Sequence, residues 1–370
     1  MTIDFHTHLI PRVFADFSRR YGYGGFVHID HDQSRVSSAG NARLMCDRDV
    51  VMEVPPAAWD LDARLRDMDA AGVQVQVLST IPELFSYWAK ADDCADLARI
   101  LNNDMAEQIR RHPARFVGLG TVPLQAVELA VAELSRCVLE LGFAGVIVGT
   151  HVNEWTLDAP EMIPFWEAAE ELGACVFVHP NSLETRAGDE RFLLPRLVGL
   201  PAEICHAVTL LLTGGLLDKF PRLRVCFAHG AGTFPYVRGQ LESGLGASSA
   251  SKEAAETLDP LALRQRRFWC DSVVHSPEAT DFLVRTMTDR VVVFGSDYPH
   301  PLGHGGMGGT GHGKYCYKTQ LGSLPFESQL RVRGENALRL LDSAPTSARR
   351  EDQQLDESGQ QDAGSSSRKP

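Results

Sequence analysis

Two histidines stand one residue apart in T-I-D-F-H-T-H, at the start of the chain: His6 and His8. In a β-strand, residues i and i+2 point to the same face, so the two imidazoles lie side by side. Imidazole nitrogen is a preferred ligand of zinc and other transition metals. The pair therefore predicts part of a metal site at the end of a strand.

Three further predicted strands end in side chains of the same chemical kind. His179 is the histidine of A-C-V-F-V-H-P, His229 is that of R-V-C-F-A-H-G, and Asp297 ends V-V-V-F-G-S-D. A single histidine at the end of a strand is more often a hydrogen-bonded core or loop residue. Together with the first pair, however, these residues form a set of imidazole and carboxylate ligands that suits a catalytic metal with an open coordination position.

The elements that position this set are eight short apolar runs separated by amphipathic helical patterns. Nearly continuous apolar strands indicate a parallel sheet that is buried on both faces. Eight β/α repeats predict an α/β protein with a (β/α)8 TIM barrel, whose active sites lie at the carboxyl ends of the strands. The alternative is a doubly wound open sheet. The predicted strands are 2–8, 74–80, 116–123, 145–151, 174–180, 224–230, 268–273 and 291–299.

The domain organisation follows from segments that do not fit the repeat. Residues 1–342 are predicted to form the barrel, and 9–59 are too long for a simple barrel loop, so they predict an insert over its mouth. The glycine-rich segment 303–315 predicts a lid. The tail 343–370 is rich in Ser, Gln, Asp and Gly, which predicts disorder.

The composition excludes several classes of partner. The chain has 370 residues and a net charge of -12, so it has no overall attraction to nucleic acid or anionic membranes. No signal peptide is evident, and no apolar stretch approaches the length of a membrane span. The eight cysteines are scattered singly without a C-x-x-C pair, which predicts reduced thiols and a cytoplasmic location.

The strand-end set is that of the amidohydrolase superfamily, which the sequence resembles over most of its length. Several blocks also resemble the aminocarboxymuconate semialdehyde decarboxylase family, and the similarity extends over residues 1–340. These blocks include Y-G-Y-G-G-F-V, L-S-T-I-P-E-L-F-S-Y-W-A-K, F-V-G-L-G-T-V-P and L-P-R-L-V-G-L-P-A-E.

The resemblance implies a site and a reaction. One zinc ion per chain, or another divalent metal, is expected on four ligands, and His229 is expected to be the base that takes a proton from the zinc-bound water. Asp297 is also expected to shuttle a proton during loss of CO2 from a muconate semialdehyde or related aromatic acid. The enzyme is expected to be a homodimer that needs no organic cofactor. The expected ligands are His6, His8, His179 and Asp297.

A single metal is expected because the fourth strand, G-V-I-V-G-T-H, ends without the lysine or glutamate with which dinuclear members bridge two ions. His151 stands there instead and is predicted to be a supporting residue.

The substrate pocket departs from the family pattern. Two family arginines that hold substrate carboxylates, one of them from the neighbouring subunit, align with Met52 and Gln240, while Arg48 and Arg238 lie nearby in sequence. Arg196 stands where the family has a tryptophan, and His300 stands where it has a phenylalanine. Arginine is not interchangeable with Met or Gln at a carboxylate clamp, so a different substrate is expected. The predicted substrate-binding residues are Met52, Arg196, Arg238, Gln240 and His300.

Three functions therefore remain as hypotheses. The first is the decarboxylase. The second uses the same metal site for hydrolysis, or for dehydrative cyclisation of an ester or amide derived from 3-hydroxyanthranilate into a benzoxazole in secondary metabolism. Loss of the carboxylate clamp favours the second, whereas the long shared blocks favour the first. The third is a binding protein without activity, which the complete ligand set argues against.

Overall fold

A computed structural model describes residues 1–13, 16–38, 40–181, 192–247, 267–300 and 317–342. The predicted lid and the predicted disordered tail both lie outside the described residues. The described strands are β1 Ile3–His8, β2 Val27–Asp30, β3 Ala42–Cys46, β4 Asp49–Val54, β5 Val75–Ser79, β6 Phe116–Gly120, β7 Gly145–Gly149, β8 His151–Val152, β9 Trp155–Thr156, β10 Cys175–His179, β11 Arg224–Phe227, β12 Trp269–Asp271 and β13 Val292–Val293.

Helices occupy most of the connections between these strands. The described α-helices are α1 Phe17–Tyr21, α2 Leu61–Ala71, α3 Ala91–Arg111, α4 Val127–Leu139, α5 Ile163–Glu171, α6 Leu200–Thr213, α7 Leu216–Lys219, α8 Phe234–Ala247, α9 Pro277–Met287, α10 Tyr317–Gln320, α11 Phe326–Leu330 and α12 Asn336–Leu341. Two π-helical turns, Pro195–Gly199 and Arg331–Glu335, lead into α6 and α12. Side-chain caps fix several starts: Asp60 accepts from the backbone at the beginning of α2, and Ser276 does so for α9.

Eight strands form one parallel sheet in the order β1-β5-β6-β7-β10-β11-β12-β13. The sheet closes because the backbone N–H of Phe5 donates to the carbonyl of Phe294 at 2.8 Å, and that of His8 donates to Tyr298 at 2.7 Å. The expected (β/α)8 barrel is therefore confirmed, and an open sheet is excluded. Each of the eight predicted strand segments contains one of these strands.

Most residues of the barrel strands are apolar because both faces of the sheet are covered. In β7 and β10 every residue is buried, since one face fills the barrel interior and the other packs against the surrounding helices. The parallel register aligns the carboxyl ends: His179 pairs with Gly149, and Asp271 pairs with Val293. Strand-end side chains distant in sequence are thereby brought to one rim.

The segment between β1 and α2 forms a small antiparallel sheet in the order β2-β3-β4. It has a hydrophobic cluster of its own, which includes Phe26, Leu44 and Trp59 and is separate from the barrel core. The start of α3 contributes Cys94 and Leu97 to this cluster. A segment of this length can therefore bury its own apolar residues against the barrel rather than extend as a long loop.

One helical segment corrects an expectation from the sequence. Pro195–Thr213 has 19 residues and a mean hydropathy of 1.3, and it is long and apolar enough, by length and composition alone, to cross a membrane. The expectation that no apolar stretch approaches that length is therefore wrong. A single such helix is weak evidence of a membrane span, and the side chains of Ile204, Val208 and Leu211 are buried in the barrel core.

Candidate active site and metal centre

Four predicted ligands meet at the carboxyl rim of the barrel. His6 and His8 project from β1, His179 ends β10, and Asp297 follows β13; one ligand atom from each lies within 4.8 Å of the others. The Nε2 atoms of His6 and His8 are 3.1 Å apart. Asp297 Oδ1 lies 3.4 Å from the first and 3.2 Å from the second. All four residues are buried, so the cluster forms a preformed metal site.

The other ring nitrogen of each histidine is held by an oxygen atom. His6 Nδ1 lies 2.5 Å from Asp271 Oδ2, His8 Nδ1 lies 3.0 Å from the carbonyl of Thr80, and His179 Nδ1 lies 2.8 Å from the carbonyl of Pro180. A carbonyl only accepts, so Nδ1 of His8 and of His179 carries the proton and Nε2 carries the lone pair. Such contacts fix the tautomer and the ring orientation of metal ligands.

The donor atoms fit a divalent cation. His179 Nε2 is buried and has no hydrogen-bond partner among the described residues. A buried polar atom without a hydrogen-bond partner costs free energy. A cation bound between His179 Nε2 and the other three ligands would supply the missing partner. Three imidazole nitrogens and one carboxylate oxygen are the donor types that zinc and related divalent metals take.

The charges of the ligands also suit metal binding. Burial lowers the pKa of His8 and lowers that of His179 well below its usual value, so these imidazoles are neutral at pH 7. Burial opposes ionisation of Asp297, but the positive charge of the neighbouring His6 outweighs it and holds the Asp297 pKa well below normal. Burial lowers the pKa of His6, but the charges of Asp297 and Asp271 outweigh it and the net shift is upward. Metals bind carboxylates and neutral imidazoles, so Asp297, His8 and His179 are already in the binding form, whereas a metal competes with a proton on His6.

His229 lies beside the ligands. Its ring centroid is 5.2 Å from the ring of His6 and 5.2 Å from the ring of His179. Burial lowers the pKa of His229 to about 4, which leaves a neutral imidazole that can accept a proton. The backbone φ of His229 is 51° and that of Asp297 is 58°, a left-handed conformation that is strained for residues other than glycine.

Asp271, at the end of β12, is a site residue that the sequence reasoning missed. Its carboxylate faces His6 and also accepts the backbone N–H groups of Gly230 at 3.0 Å and Val273 at 2.9 Å. Burial raises the Asp271 pKa, but the charge and hydrogen bond of His6 outweigh this, and the net shift is downward. The available signal was a carboxylate at the end of F-W-C-D, the same strand-end position that identified His179.

The close contact between His6 and Asp271 depends on a glycine, Gly295, that packs against both side chains. A Cβ atom on Gly295 would lie 2.9 Å from Cβ of His6 and 3.0 Å from Cβ of Asp271. Only glycine fits between the two side chains without displacing one of them.

The cluster opens into a cavity of about 730 Å³. His8, His179, His229 and Asp297 all line it, whereas its outer wall is mostly apolar. The outer apolar lining comes from the turn before α6, the start of α8 and the helix α9, and includes Leu197, Leu200, Pro235, Val274, Phe282 and Leu283.

Two of the five predicted substrate-binding residues line this cavity, namely Arg196 and His300. Within the described part of the chain, the other three do not: Met52 packs in the separate hydrophobic cluster, and Arg238 lies on α8, where it donates to the carbonyl of Thr286. Gln240 is exposed on the same helix.

His151, two residues after the fourth barrel strand, lies beside a small polar cluster. Its Nδ1 lies 3.5 Å from Glu203 Oε1, and the same carboxylate oxygen accepts from Thr150 and from the backbone N–H of Asn181. Asn181 lines the cavity. The geometry is consistent with the supporting role predicted for His151, which stays a prediction.

A buried arginine lies on the other side of the ligand pair. Arg64 on α2 donates to the carbonyl of His8, to Gln76 Oε1 at 3.0 Å and to the carbonyl of Ala57 at 3.2 Å. Its guanidinium also lies 4.9 Å from the ring centroid of Tyr298, the residue after Asp297. Arg64 therefore contacts the backbone of one ligand and the neighbour of another.

Fold and site together define a metal-dependent enzyme with a (β/α)8 barrel. The profile of the amidohydrolase family matches residues 3–342. The chain is 41% identical over 305 residues to 2-amino-3-carboxymuconate-6-semialdehyde decarboxylase of Dictyostelium discoideum, covering 82% of this chain and 83% of the relative. The chain therefore belongs to the amidohydrolase family and, within it, to the group of aminocarboxymuconate semialdehyde decarboxylases and their relatives, as its motifs indicated.

Solved structures share the fold at lower identity. The apo structure of Metarhizium anisopliae IDCase has a TM-score of 0.78 at 22% identity, covering 93% of this chain and 97% of that chain. A 5-carboxyvanillate decarboxylase from Novosphingobium aromaticivorans, solved with bound manganese, has a TM-score of 0.72 at 19% identity and covers 92% and 97%. At these identities the likeness is one of fold.

Proposed function

We propose that the protein is a zinc-dependent decarboxylase that removes CO2 from a small aromatic or muconate acid. The observation that carries the proposal is the buried cluster of His6, His8, His179 and Asp297 at the inner end of a largely apolar cavity. The relationship to a decarboxylase over four fifths of the chain supports this reaction class. The proposal includes metal binding by these four residues and proton transfer by His229.

Three nitrogen donors and one oxygen donor favour zinc, because zinc prefers such mixed sets. Manganese is the alternative, since a structural neighbour binds it. When bound, the metal ion supplies positive charge that attracts the oxygen atoms of an acid substrate and stabilises negative charge on them.

The residues of the chain account for the remaining steps. The apolar walls exclude water from a bound carboxylate, which favours its conversion into neutral CO2. As the carbon–carbon bond breaks, its electron pair stays on the substrate carbon, and a proton must be delivered to that carbon. His229 is placed to carry this proton: its neutral imidazole accepts one from a water or hydroxyl group and passes it on. Asp297 takes part in the same proton transfer, and the net reaction consumes one proton.

The proposal includes a homodimer and a cytoplasmic location. Family resemblance supports the first. The second is supported by the described cysteines, all of which are free thiols; those of Cys175, Cys226 and Cys270 are buried in barrel strands.

The test uses zinc-loaded and manganese-loaded protein, each incubated with freshly prepared aminocarboxymuconate semialdehyde and with 2,6-dihydroxybenzoate. We expect mass spectrometry to detect a product lighter by one CO2 with at least one acid, and chelation to abolish the reaction. If the metal binds stoichiometrically and neither acid loses CO2, the decarboxylase proposal fails for these substrates, and the second candidate below becomes the better account.

The second candidate is hydrolysis or dehydrative cyclisation at the same metal site. It is favoured by one observation: Met52 and Gln240 stand at the two positions that align with the arginines of the carboxylate clamp. A larger and less charged substrate, such as an ester or amide dimer of 3-hydroxyanthranilate, suits the apolar outer wall. Loss of one water from this dimer, with formation of a benzoxazole, would identify cyclisation; gain of one water would identify hydrolysis.

A further inference from the structure

Two polar side chains that are far apart in sequence meet at the wall of the active-site cavity. Arg196 Nη1 lies 3.3 Å from His300 Nε2, and both residues line the cavity that contains the metal ligands. The positions are separated by 104 residues, and both depart from the apolar side chains expected there from the decarboxylase pattern. Two independent departures therefore produce one contact.

The direction of this contact sets the tautomer of His300. A guanidinium only donates, so His300 Nε2 accepts and its Nδ1 carries the proton. This Nδ1 lies 3.6 Å from Asp297 Oδ2, whose other oxygen faces His6 and His8. Arg196 is thus connected through one imidazole to a carboxylate of the metal centre.

Arg196 keeps donors for a further partner. Its ion pair with Glu83 is long, at 3.8 Å, and the two side chains are 36% and 25% exposed. Ion pairs of this kind are weak, and a guanidinium has five N–H donors, of which the contacts with Glu83 and His300 use only part. A planar fork of donors facing a cavity suits an anionic oxygen.

The backbone that presents Arg196 is itself unusual. Leu193 has a φ of 54°, and Pro195–Gly199 forms a π-helical turn before α6. Such π-helical turns occur frequently at functional sites, and a left-handed conformation is strained for leucine. Backbone strain therefore lowers stability locally in the segment that places Arg196 at the cavity wall.

We propose that Arg196 and His300 form an anion-binding subsite that holds a second acidic group of the substrate, a carboxylate or a phenolate, while the first lies at the metal centre. The inference rests on the proposed function and narrows its substrate class to aromatic or muconate acids with two acidic groups. The subsite takes over the role of the family's carboxylate clamp, at whose two positions this chain has Met52 and Gln240 instead of arginine.

The test measures binding rather than turnover. Zinc-loaded protein is titrated calorimetrically with benzoate and with benzene-1,3-dicarboxylate. We expect the dicarboxylate to bind at least about 10-fold more tightly, because a charge-assisted hydrogen bond contributes that much. Arg196→Met should remove this preference by weakening dicarboxylate binding more than benzoate binding, and Arg196→Lys should restore part of it. Arg222→Met, which alters an exposed arginine paired with Glu170, is the matched control and should behave like wild type.

Two more variants test the roles of the neighbours. His300→Phe should reduce the preference by removing the acceptor that orients Arg196 Nη1. Glu83→Gln should strengthen dicarboxylate binding, since it removes a competing negative charge; a purely structural role of the pair predicts no gain.

Each other outcome has a defined meaning. Equal binding of benzoate and dicarboxylate by wild-type protein overturns the subsite and leaves the decarboxylase proposal intact. A preference that persists in a folded Arg196→Met protein overturns it as well. Failure of both ligands to bind protein that holds its metal contradicts the proposed function and the subsite together.

Discussion

His6 Nδ1 lies 2.5 Å from Asp271 Oδ2, and both side chains are completely buried. The contact joins the first barrel strand to the seventh and leaves His6 Nε2 facing the other ligands. Asp271 also accepts two backbone N–H groups, so its carboxylate cannot move with the imidazole. The orientation of His6 is therefore fixed before a metal binds.

We predict that Asp271→Asn weakens metal affinity by about 10- to 100-fold, the usual effect of losing a carboxylate behind a ligating histidine. The measurement is competition with a chromogenic chelator at pH 7. Asp281→Asn, which removes a half-buried carboxylate paired with Arg285 on α9, should leave the affinity unchanged. Wild-type affinity in folded Asp271→Asn protein would show that the carboxylate does not act through His6.

His229 should be separable from the metal ligands. We predict that His229→Ala binds one metal per chain but decarboxylates at least about 100-fold more slowly, because general acid–base groups contribute about that factor or more. Metal content by atomic absorption and turnover of the best substrate are measured on the same samples. His206→Ala, which alters an exposed histidine on α6, is the control. Full activity of the metal-loaded alanine variant would exclude the proposed proton transfer.

The strand-end ligands were predictable because β-structure has simple geometry. A period of two places His6 and His8 on one face, and parallel strands bring His179 and Asp297 to the same rim. Asp271 satisfied the same rule but was missed, since a carboxylate within an apolar run also fits an ordinary buried hydrogen-bonded residue.

Other features depend on contacts that no local pattern encodes. The meeting of Arg196 with His300 requires a π-helical turn after the fifth barrel strand to approach the loop after the eighth. The family resemblance also placed Met52 and Gln240 in the substrate site, but neither side chain lines the cavity within the described residues of one chain. Only the packing of the helices decides which side chains do so.

Arg64 should stabilise the barrel as well as the ligand pair. We predict that Arg64→Met lowers the free energy of unfolding by about 3 kcal/mol or more, because three buried acceptors each lose a donor and one such loss costs about 1–3 kcal/mol. One of these acceptors is the carbonyl of His8, so metal affinity should fall too. Urea unfolding of the metal-free protein measures the first effect, and chelator competition measures the second.

Arg285→Met provides the comparison, because Arg285 is exposed and paired only within its own helix in the described contacts. A change of less than about 0.5 kcal/mol in Arg64→Met, the range of ordinary surface substitutions, would contradict the prediction.

The carboxylate of Asp289, away from the metal centre, should contribute to stability in a way that depends on pH. Asp289 accepts from Ser328 Oγ at 2.6 Å and from Arg331 Nη2 at 2.7 Å. Burial raises the Asp289 pKa, but these two partners outweigh it and hold the pKa below its usual value of 3.8. Because the folded state favours the ionised form, the contribution to stability is complete above pH 3.8 and is lost as the pH falls through the lowered pKa.

We therefore expect Asp289→Asn to be less stable than wild type at pH 7 and the difference to shrink steadily below pH 3.8. Urea unfolding of metal-free protein at a series of pH values measures the difference without interference from the ligands. Asp49→Asn, an exposed carboxylate of β4, is the control and should show no such trend. A difference that stayed constant into the acid range would mean that the asparagine disturbs packing, and that the charge of Asp289 contributes nothing to the docking of α11.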